Sequence, residues 1–346
     1  MTATVSLVRA QDSSGACLYL LENSQVRVSL SSLGAAIRSI QVRDSGTSWL
    51  EITQGFDEEL AWLTNKPFFG VMVGRVANRI AKATFTLGPK AYHLEANDGL
   101  HHLHGGSGGF HTKVWKSEMW QNPLEAGITF SLKSPDGDQG YPGALEVSCR
   151  VSLDGHNALK TVFEAHSDQP TPVNLTNHTY FNLGGPNHPQ ILDHMFSTEA
   201  SHVVESDSEL IPTGRLIPVG ETAFDFRRPK PIGQDLQQVG LGYDHCFVLH
   251  TENKPLVVPK EVARVHHPQS GRCLRLFTDQ SGFQFYTGNF LSGTVGRKGK
   301  SLLAHAALCL ESQRFPDTPN HTEWDPITVE PAKPYRHEFH YVFDLP

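Results

Sequence analysis

The stretch LEVSCRVSL at residues 145–153 alternates without a break between apolar and polar side chains. A strand places successive side chains on opposite faces, so this period of two puts all five apolar residues on one face. The stretch therefore predicts a β-strand that packs one face against a core and exposes the other to water.

The same alternation recurs elsewhere in the chain. Residues 128–132 and 84–87 repeat it, and Asp154-Gly155 follows the first stretch directly. Asp-Gly is a turn dipeptide that joins neighbouring strands, so Val151–Glu164 predicts a hairpin. Turn signals at residues 135–137, 141–143 and 212–214 add further chain reversals.

Helical periodicity is sparse. Gln234–Val239 is the one segment for which we expect a short helix, and no window has helical spacing over three or more turns. The chain is therefore predicted to be all-β, with antiparallel sheets packed face to face or curled into a barrel. No linker, low-complexity tract or short repeat divides it, so a single domain over residues 1–346 is expected. Pro186–His194 and Thr251–Val258 are predicted to be loops or covers of sheet edges.

Composition excludes several function classes. The 346 residues contain 29 Lys+Arg and 36 Asp+Glu, a net charge of −7, with no long basic run, so nucleic acid is not expected as a partner. No apolar run reaches the roughly 20 residues of a membrane span, and the first residues do not resemble a signal peptide. A cytoplasmic location is expected, and the five scattered cysteines are expected to be free thiols.

Four stretches concentrate Gly, Asn, His and Arg, a composition typical of loops that form a site. They are Gly70–Lys82, His101–Phe110, Thr171–Gly185 and Cys309–Asp317. Within the second, His101, His102 and His104 are candidate metal ligands, but no Cys or carboxylate has a familiar ligand spacing. Phosphate-loop, dinucleotide and serine-nucleophile motifs are absent from the sequence, so neither metal nor nucleotide is expected as a cofactor.

Two residues in these stretches are candidates for acid-base chemistry. His178 lies in the motif NHTYFNL, although a lone histidine is more often structural than catalytic. Glu311 directly follows the apolar run Ala306–Leu310, where a strand should still be buried. A buried carboxylate is costly, so Glu311 is either paired structurally or used for chemistry.

At these motifs the chain resembles the aldose 1-epimerase (galactose mutarotase) family, and specifically its animal cytosolic members. The segments that carry the resemblance occur in the family's order from about Gly70 to the C-terminus: GRVANRIAKATF, LHGGSGGF, SPDGDQGYPGAL, TPVNLTNHTYFNL, LIPTG, GYDHCFVL, FQFYTGNF and CLESQ. The resemblance implies a large antiparallel β-sandwich, the galactose mutarotase-like supersandwich, with a sugar cleft on one concave sheet. It also implies an isomerase that interconverts the α and β anomers of free aldoses such as galactose and glucose without metal or nucleotide. A monomer is expected.

The resemblance also implies residue roles. His178 is the expected general acid and Glu311 the expected general base. The expected sugar-binding residues are Asn78, Arg79, His104, Tyr180, Asp244 and Gln284. Phe181, Tyr286 and Phe315 are candidates for an aromatic face against the sugar, and each is equally compatible with the core.

Two departures from the family pattern concern substrate preference. Arg314-Phe315 stands where the family usually has Asn and Trp, and His102 occupies a position that is often small, which predicts a different cleft rim. A non-catalytic sugar-binding protein of the same fold stays as one alternative. An epimerase of hexose 6-phosphates is the other, with Arg75, Arg79 and Arg314 as the available cations.

Overall fold

The computed structural model describes residues 2–12, 14–44 and 48–346. Across those ranges the backbone forms 27 strands and seven short 3-10 segments, and no α-helix. The all-β prediction is therefore confirmed.

The strands follow in chain order. They are β1 Thr4–Arg9, β2 Leu18–Glu22, β3 Val26–Ser31, β4 Ala36–Arg43, β5 Trp49–Glu51, β6 Met72–Val73, β7 Arg79–Ile80, β8 Thr84–Leu87, β9 Lys90–His93, β10 His102–Leu103, β11 Lys116–Gln121, β12 Glu125–Ser134, β13 Leu145–Asp154 and β14 Ala158–Ser167. The second half comprises β15 Thr171–Pro172, β16 Thr176–Asn177, β17 Met195–Thr198, β18 His202–Ser206, β19 Pro212–Pro218, β20 Lys230–Pro231, β21 Asp244–Val248, β22 Lys260–His266, β23 Cys273–Thr278, β24 Gly282–Tyr286, β25 Cys309–Gln313, β26 Thr328–Val329 and β27 Tyr335–Asp344.

The 3-10 segments lie in the connections between strands. They span Leu60–Leu63, Ala81–Ala83, Phe110–Thr112, Asp138–Gly140, Leu236–Val239, Arg297–Gly299 and Thr318–Asn320. The short helix expected over Gln234–Val239 is thus present as a single 3-10 segment in the second half of that window.

Three larger antiparallel sheets organise the chain. One has nine strands in the order β11-β12-β13-β14-β27-β23-β22-β17-β20, a second has five in the order β19-β18-β21-β24-β25, and a third contains β1–β5 in sequence. The nine-stranded sheet packs against β24 and β25. Phe196 stacks on Phe285 with ring centroids 4.2 Å apart, and Tyr341 donates its hydroxyl to the Leu310 carbonyl at 2.8 Å. The predicted sandwich is therefore confirmed.

The stretch 145–153 forms most of β13, the third strand from one edge of the nine-stranded sheet. Its five apolar side chains are all buried in the main core. The predicted hairpin is also confirmed, because Leu145 and Leu153 at the ends of the stretch pair with Ser167 and Leu159 of β14. Asn157 closes the turn with a left-handed backbone, φ 62°.

Other predictions have simple outcomes. Pro186–His194 and Thr251–Val258 contain no strand. All five cysteines are free, and four of them are buried. In the ranges described, no helix is long and apolar enough to cross a membrane.

Candidate active site

A cavity of about 540 Å³ brings residues from all four polar stretches together. Its lining includes seven of the eight residues predicted for catalysis and sugar binding: Asn78, Arg79, His104, His178, Tyr180, Asp244 and Glu311. The eighth, Gln284, lies directly behind them in β24. These residues are far apart in sequence, so the cavity is a product of strand order and not of any one segment.

The five-stranded sheet supplies the carboxylates at the floor of the cavity. Glu311 in β25 pairs directly with Gln284 in β24, and β24 pairs in turn with β21, which begins at Asp244. Gln284 donates its side-chain amide to Asp244 Oδ1 at 2.6 Å. This leaves Gln284 Oε1 and Glu311 Oε2 as buried acceptors without a hydrogen-bond partner. Of these two residues, Glu311 lines the cavity and can accept from a ligand hydroxyl.

His178 reaches the same point from the loop that follows β16. Its backbone amide donates to the Val71 carbonyl at 3.0 Å, and its ring stacks on Tyr180 with centroids 4.9 Å apart. Cys309 Sγ lies 3.5 Å from His178 Nδ1. The other ring nitrogen, Nε2, lies 3.7 Å from Glu311 Oε1. A proton-carrying imidazole and a carboxylate therefore face one small volume.

Burial changes the acidity of this pair. Loss of solvent lowers the pKa of His178 to about 4. Loss of solvent also raises the pKa of Glu311 well above its ordinary value, and the charge of Asp244 raises it further. Reference values for free side chains place the pKa of glutamate below that of histidine. In this structure the order is reversed, because burial lowers the pKa of His178 and raises that of Glu311. An imidazolium with a lowered pKa is a stronger acid, and a carboxylate with a raised pKa is a stronger base.

His104 is held as a hydrogen-bond donor. Asn78 and His104 both have left-handed backbones, φ 62° and 52°, and His104 N–H donates to the Asn78 carbonyl at 3.0 Å. In return, Asn78 N–H donates to His104 Nδ1 at 3.2 Å. Since Nδ1 is an acceptor, the neutral ring carries its proton on Nε2. Burial lowers the pKa of His104, which favours this neutral form.

The histidine-rich stretch does not assemble a metal site of its own: among the described residues, neither His101 nor His102 belongs to a cluster of His, Cys, Asp or Glu side chains close enough to share an ion. His101 Nδ1 accepts from Lys82 N–H at 3.1 Å, and His102 Nδ1 lies 2.7 Å from the Glu95 carbonyl. The possible ligand atoms of His104, His178 and Glu311 do lie within 4.8 Å of one another. The neutral His104 ring carries its proton on Nε2, however, so that nitrogen has no lone pair for a metal ion.

The expectation that His102 shapes the cleft rim is wrong, because its side chain is fully buried.

Two cationic side chains, Arg79 and Lys66, belong to the lining of the cavity. Arg79 Nε donates to Asp98 Oδ2 at 2.8 Å, which orients the guanidinium across the lining. Lys66 is exposed at the mouth. Among the described residues of the lining these are the cations. Asp98 and Lys66 lie outside the motifs, and sequence reasoning missed both.

The aromatic predictions are correct for one residue of three. Tyr286 lines the cavity. Phe181 and Phe315 are wrong as cleft residues, because both have no exposed surface and pack in the interior. Phe68 and Phe290 line the cavity instead, and Phe68 packs against the His104 ring with centroids 4.7 Å apart. A phenylalanine in a loop gives no periodic signal that would separate core from cleft.

Arg314 is also placed away from the cavity. Its guanidinium donates to Asp325 Oδ2 at 2.9 Å and to Asn253 Oδ1 at 3.1 Å, and the residue is buried. Arg75 is buried as well, bonded to Ser134 and to the Pro142 carbonyl. Two of the three arginines that were candidates for phosphate binding therefore hold loops together, and Arg79 alone lines the cavity.

A second cavity of about 460 Å³ lies beside β5 and the loop that contains Asn182 and His188. Arg297, Lys298 and Lys300 line it, and none of the predicted site residues does. His178 and Glu311 line the first cavity and not the second, which makes the first cavity the candidate active site.

Comparison with known proteins identifies the family. A family model described as aldose 1-epimerase matches residues 18–342. The chain belongs to the aldose 1-epimerase family. Within this family, the chain is 43% identical over 329 residues to the galactose mutarotase of Sus scrofa, with 94% of each chain covered. It is 34% identical over 312 residues to the aldose 1-epimerase of Escherichia coli, covering 89% of this chain and 88% of the other.

Solved structures of aldose 1-epimerase relatives share the fold. An aldose epimerase homologue from C. elegans has a TM-score of 0.85 at 28% identity, covering 93% of this chain and 97% of its own. A galactose 1-epimerase from Lactobacillus acidophilus has a TM-score of 0.84 at 26% identity, covering 99% and 98%. The family and the fold predicted from the sequence motifs are therefore confirmed.

Proposed function

We propose that this aldose 1-epimerase interconverts the α and β anomers of free aldoses such as galactose and glucose, with Glu311 as general base and His178 as general acid. The observation that carries the assignment is the 3.7 Å separation between His178 Nε2 and Glu311 Oε1 inside the cavity. In a cyclic hemiacetal the anomeric hydroxyl and the ring oxygen are bonded to the same carbon. Two groups that exchange protons with those oxygens must therefore lie close together, as these do.

The reaction needs one proton to leave and another to arrive. Glu311 takes the proton of the anomeric hydroxyl, the C1–O bond to the ring oxygen breaks, and His178 delivers a proton to that oxygen. The open-chain aldehyde then rotates about the bond from C1 to C2. On closure the protonated Glu311 returns its proton to the former carbonyl oxygen, and neutral His178 removes the proton from the attacking hydroxyl. Both side chains regain their starting states, and no electrons or groups are transferred.

Burial favours this exchange. The shift of both pKa values toward the neutral side chains makes the ionised pair a stronger base and a stronger acid than free Glu and His. The ionised and neutral pairs hold the same single proton, so conversion between them needs no proton from solvent. Each well-placed partner in such a transfer typically contributes about 10²–10⁴-fold to the rate.

The remaining lining is suited to a ligand rich in hydroxyls. His104 Nε2–H and the Arg79 guanidinium supply donors, while Asp244, held in place by the Gln284 amide, supplies acceptors. Asn78 supplies one of each. Tyr180 and Tyr286 supply apolar surface beside the His178 ring. Buried polar groups left unpaired by the wrong stereoisomer would penalise its binding.

The two alternatives fit less well. A protein that only binds sugar has no need of a carboxylate and an imidazole directed at one point, whereas anomer exchange requires both. A hexose 6-phosphate would favour an Arg/Lys cluster. In the described lining, Arg79 is paired with Asp98, leaving Lys66 as the one cation without a carboxylate partner in the cavity. Arg314 and Arg75 are committed elsewhere in the interior.

Polarimetry tests the proposal directly. Freshly dissolved α-galactose is followed to its equilibrium rotation with and without protein, and the rate should rise in proportion to protein concentration. The Glu311→Gln variant, folded by circular dichroism, serves as the matched control. A wild-type protein that binds galactose and leaves the rate of mutarotation at its uncatalysed value would support the binding protein instead.

Three further expectations belong with this proposal. The chain acts as one domain over residues 1–346, and it does so as a monomer in the cytoplasm. Its catalysis needs neither a metal ion nor a nucleotide, because Glu311 and His178 perform both proton transfers. Gel filtration and fractionation of cells that express the protein test the assembly state and the location.

A further inference from the structure

A second group of titratable side chains lies outside the active site. It consists of His188, Asp193, His194 and His267, whose nearest ring nitrogens and carboxylate oxygen all lie within 4.8 Å of one another. None of the four lines the active-site cavity. We propose that His188, Asp193 and His267 form a binding site for one divalent cation of the zinc class, with His194 orienting the carboxylate.

Strand pairing places two of the ligands side by side. Met195 at the start of β17 pairs with His266 at the end of β22, in antiparallel register. The residues just before β17 and just after β22 therefore come together, which sets Asp193 and His194 against His267. His188 joins them from the loop before β17. Two of the three segments are thus held by the nine-stranded sheet, which gives the site a preformed backbone.

The hydrogen bonds of His194 assign its role. Its Nε2 accepts from Leu183 N–H at 3.1 Å, so the neutral ring carries its proton on Nδ1. That proton points at Asp193 Oδ1, 3.1 Å away. His194 is therefore a donor to the carboxylate and not a ligand. A ring that holds a ligating carboxylate in place is a common feature of protein metal sites.

His267 provides the observation that points to a ligand. The residue is 3% exposed, and its Nε2 has no hydrogen-bond partner. Its Nδ1 lies 2.8 Å from Ser270 Oγ, which can accept the ring proton and leave a lone pair on Nε2. This nitrogen faces Asp193 Oδ2 at 3.8 Å. A buried nitrogen without a partner is costly, and a cation between it and the carboxylate would satisfy both.

His188 completes the ligand set. Its Nε2 lies 2.8 Å from Asp193 Oδ1, and its ring centroid is 4.8 Å from that of His267. Two nitrogens that bind one zinc ion at about 2.1 Å each are at most about 4.2 Å apart. The cluster therefore needs only a small closing movement. His188 is the least buried histidine of the group, with 21% of its side chain accessible, so its side chain is the least constrained by packing.

The donor set defines the class of ion. Two imidazole nitrogens and one carboxylate oxygen suit Zn²⁺ and its first-row neighbours better than Ca²⁺ or Mg²⁺, which prefer oxygen ligands. The accessible side, where Asp193 is 54% exposed, leaves room for water in the remaining positions. A bound ion would fasten the loop 186–194 to the end of β22. The expected consequence is greater thermal stability with no change in catalysis.

Isothermal titration with Zn²⁺ tests the site on the full-length protein after treatment with a chelator and dialysis. The wild type should bind one equivalent. His188→Ala and His267→Gln should each weaken binding by more than the roughly 10–100-fold that loss of an outer-shell partner costs. His156→Ala changes an exposed histidine outside the cluster and should bind like the wild type. His178→Asn should also bind normally, because it alters only the active site.

Spectroscopy and melting provide readouts that do not depend on activity. Co²⁺ in place of Zn²⁺ should give visible absorption bands in the wild type that are absent from His188→Ala. Zn²⁺ should raise the Tm of the wild type and leave that of the His188→Ala/His267→Gln double variant unchanged. Failure of Zn²⁺ to bind the wild type would overturn the site, as would equal binding by the double variant. Binding lost in His178→Asn would place the ion in the active site instead. Since none of these readouts requires mutarotation, they separate this inference from the proposed function.

Discussion

His178 Nε2 and Glu311 Oε1 lie 3.7 Å apart although the two residues belong to different loops and strands of the sandwich. Both side chains are almost completely buried, and Glu311 Oε2 has no hydrogen-bond partner. The pair is therefore closely spaced, shielded from water and open to a substrate hydroxyl. These properties lead to the first prediction.

Replacing Glu311 or His178 should lower kcat strongly and should change substrate binding only slightly. Glu311→Gln keeps the shape but removes the base, and His178→Asn removes the proton donor. Each should lower kcat by about 10²–10⁴-fold with a much smaller change in KM, because proton transfer stabilises the transition state and not the bound ground state. The double variant should fall short of the product of the two losses.

Coupled polarimetric kinetics on the three variants, with folding checked by circular dichroism, measure these effects. A folded Glu311→Gln protein with a kcat near that of the wild type would show that Glu311 is not the base, even though the fold would be unaffected.

Neutralising Asp244 should shift the pH profile. The charge of Asp244 is one cause of the raised pKa of Glu311, second to burial. Asp244→Asn removes that charge, so the pKa of Glu311 falls and its carboxylate persists to lower pH. Because the pKa of Glu311 lies above that of His178, Glu311 governs the loss of the pair's last proton, and the alkaline limb of kcat/KM should therefore move to lower pH. Asp98→Asn is the matched control, because Asp98 is not among the causes of the Glu311 shift. A limb that stays in place or moves to higher pH contradicts the coupling.

The Arg79–Asp98 pair should govern substrate binding. Arg79→Ala removes a charged donor from the lining and should raise KM roughly 10–100-fold, consistent with about 1.5–3 kcal/mol for a hydrogen bond to a charged group. Asp98→Asn keeps the guanidinium but weakens the 2.8 Å bond that orients it, so its effect on KM should be smaller. Initial rates over a range of galactose concentrations separate the two. Equal KM values for Arg79→Ala and wild type would place Arg79 outside the sugar site.

Chelation should leave catalysis intact. The proposed acid and base transfer both protons, and the His104 tautomer opposes a metal ion beside them. Exhaustive treatment with EDTA should therefore lower the Tm if the His188–Asp193–His267 site is filled, while kcat stays unchanged. Activity that disappears with EDTA and returns with zinc would show that the ion acts in catalysis.

Arg314 should matter for stability and not for substrate choice. Its removal takes the charged donor from Asp325 Oδ2 and one of the three donors from Asn253 Oδ1, which should cost about 1–3 kcal/mol in the free energy of unfolding. Urea denaturation of Arg314→Ala measures the loss. Free galactose should remain a better substrate than galactose 6-phosphate in both proteins. If the wild type preferred the phosphorylated sugar and Arg314→Ala lost that preference, the conclusion that Arg314 lies away from the substrate would be wrong.

The amino-acid sequence by itself determined the local structure and the identity of most candidate site residues. Alternation over residues 145–153 predicts a half-buried strand because side chains on a strand alternate between faces, and that property needs no knowledge of neighbours. Ordered motifs around His178 and Glu311 indicated the family. All of this information is local or lies in the order of segments along the chain.

Only the tertiary structure decided which side chains face a cavity and which face the core. Arg314 and Phe315 directly follow β25, the strand that carries Glu311, yet both turn inward, while Phe68 and Asp98 from distant loops face the cleft. Pairing between strands far apart in sequence brings such residues together, and a strand's period of two does not specify its partner. Burial then sets the acidity of His178 and Glu311, because the pKa of a side chain depends on the water and charges removed from around it by the rest of the fold.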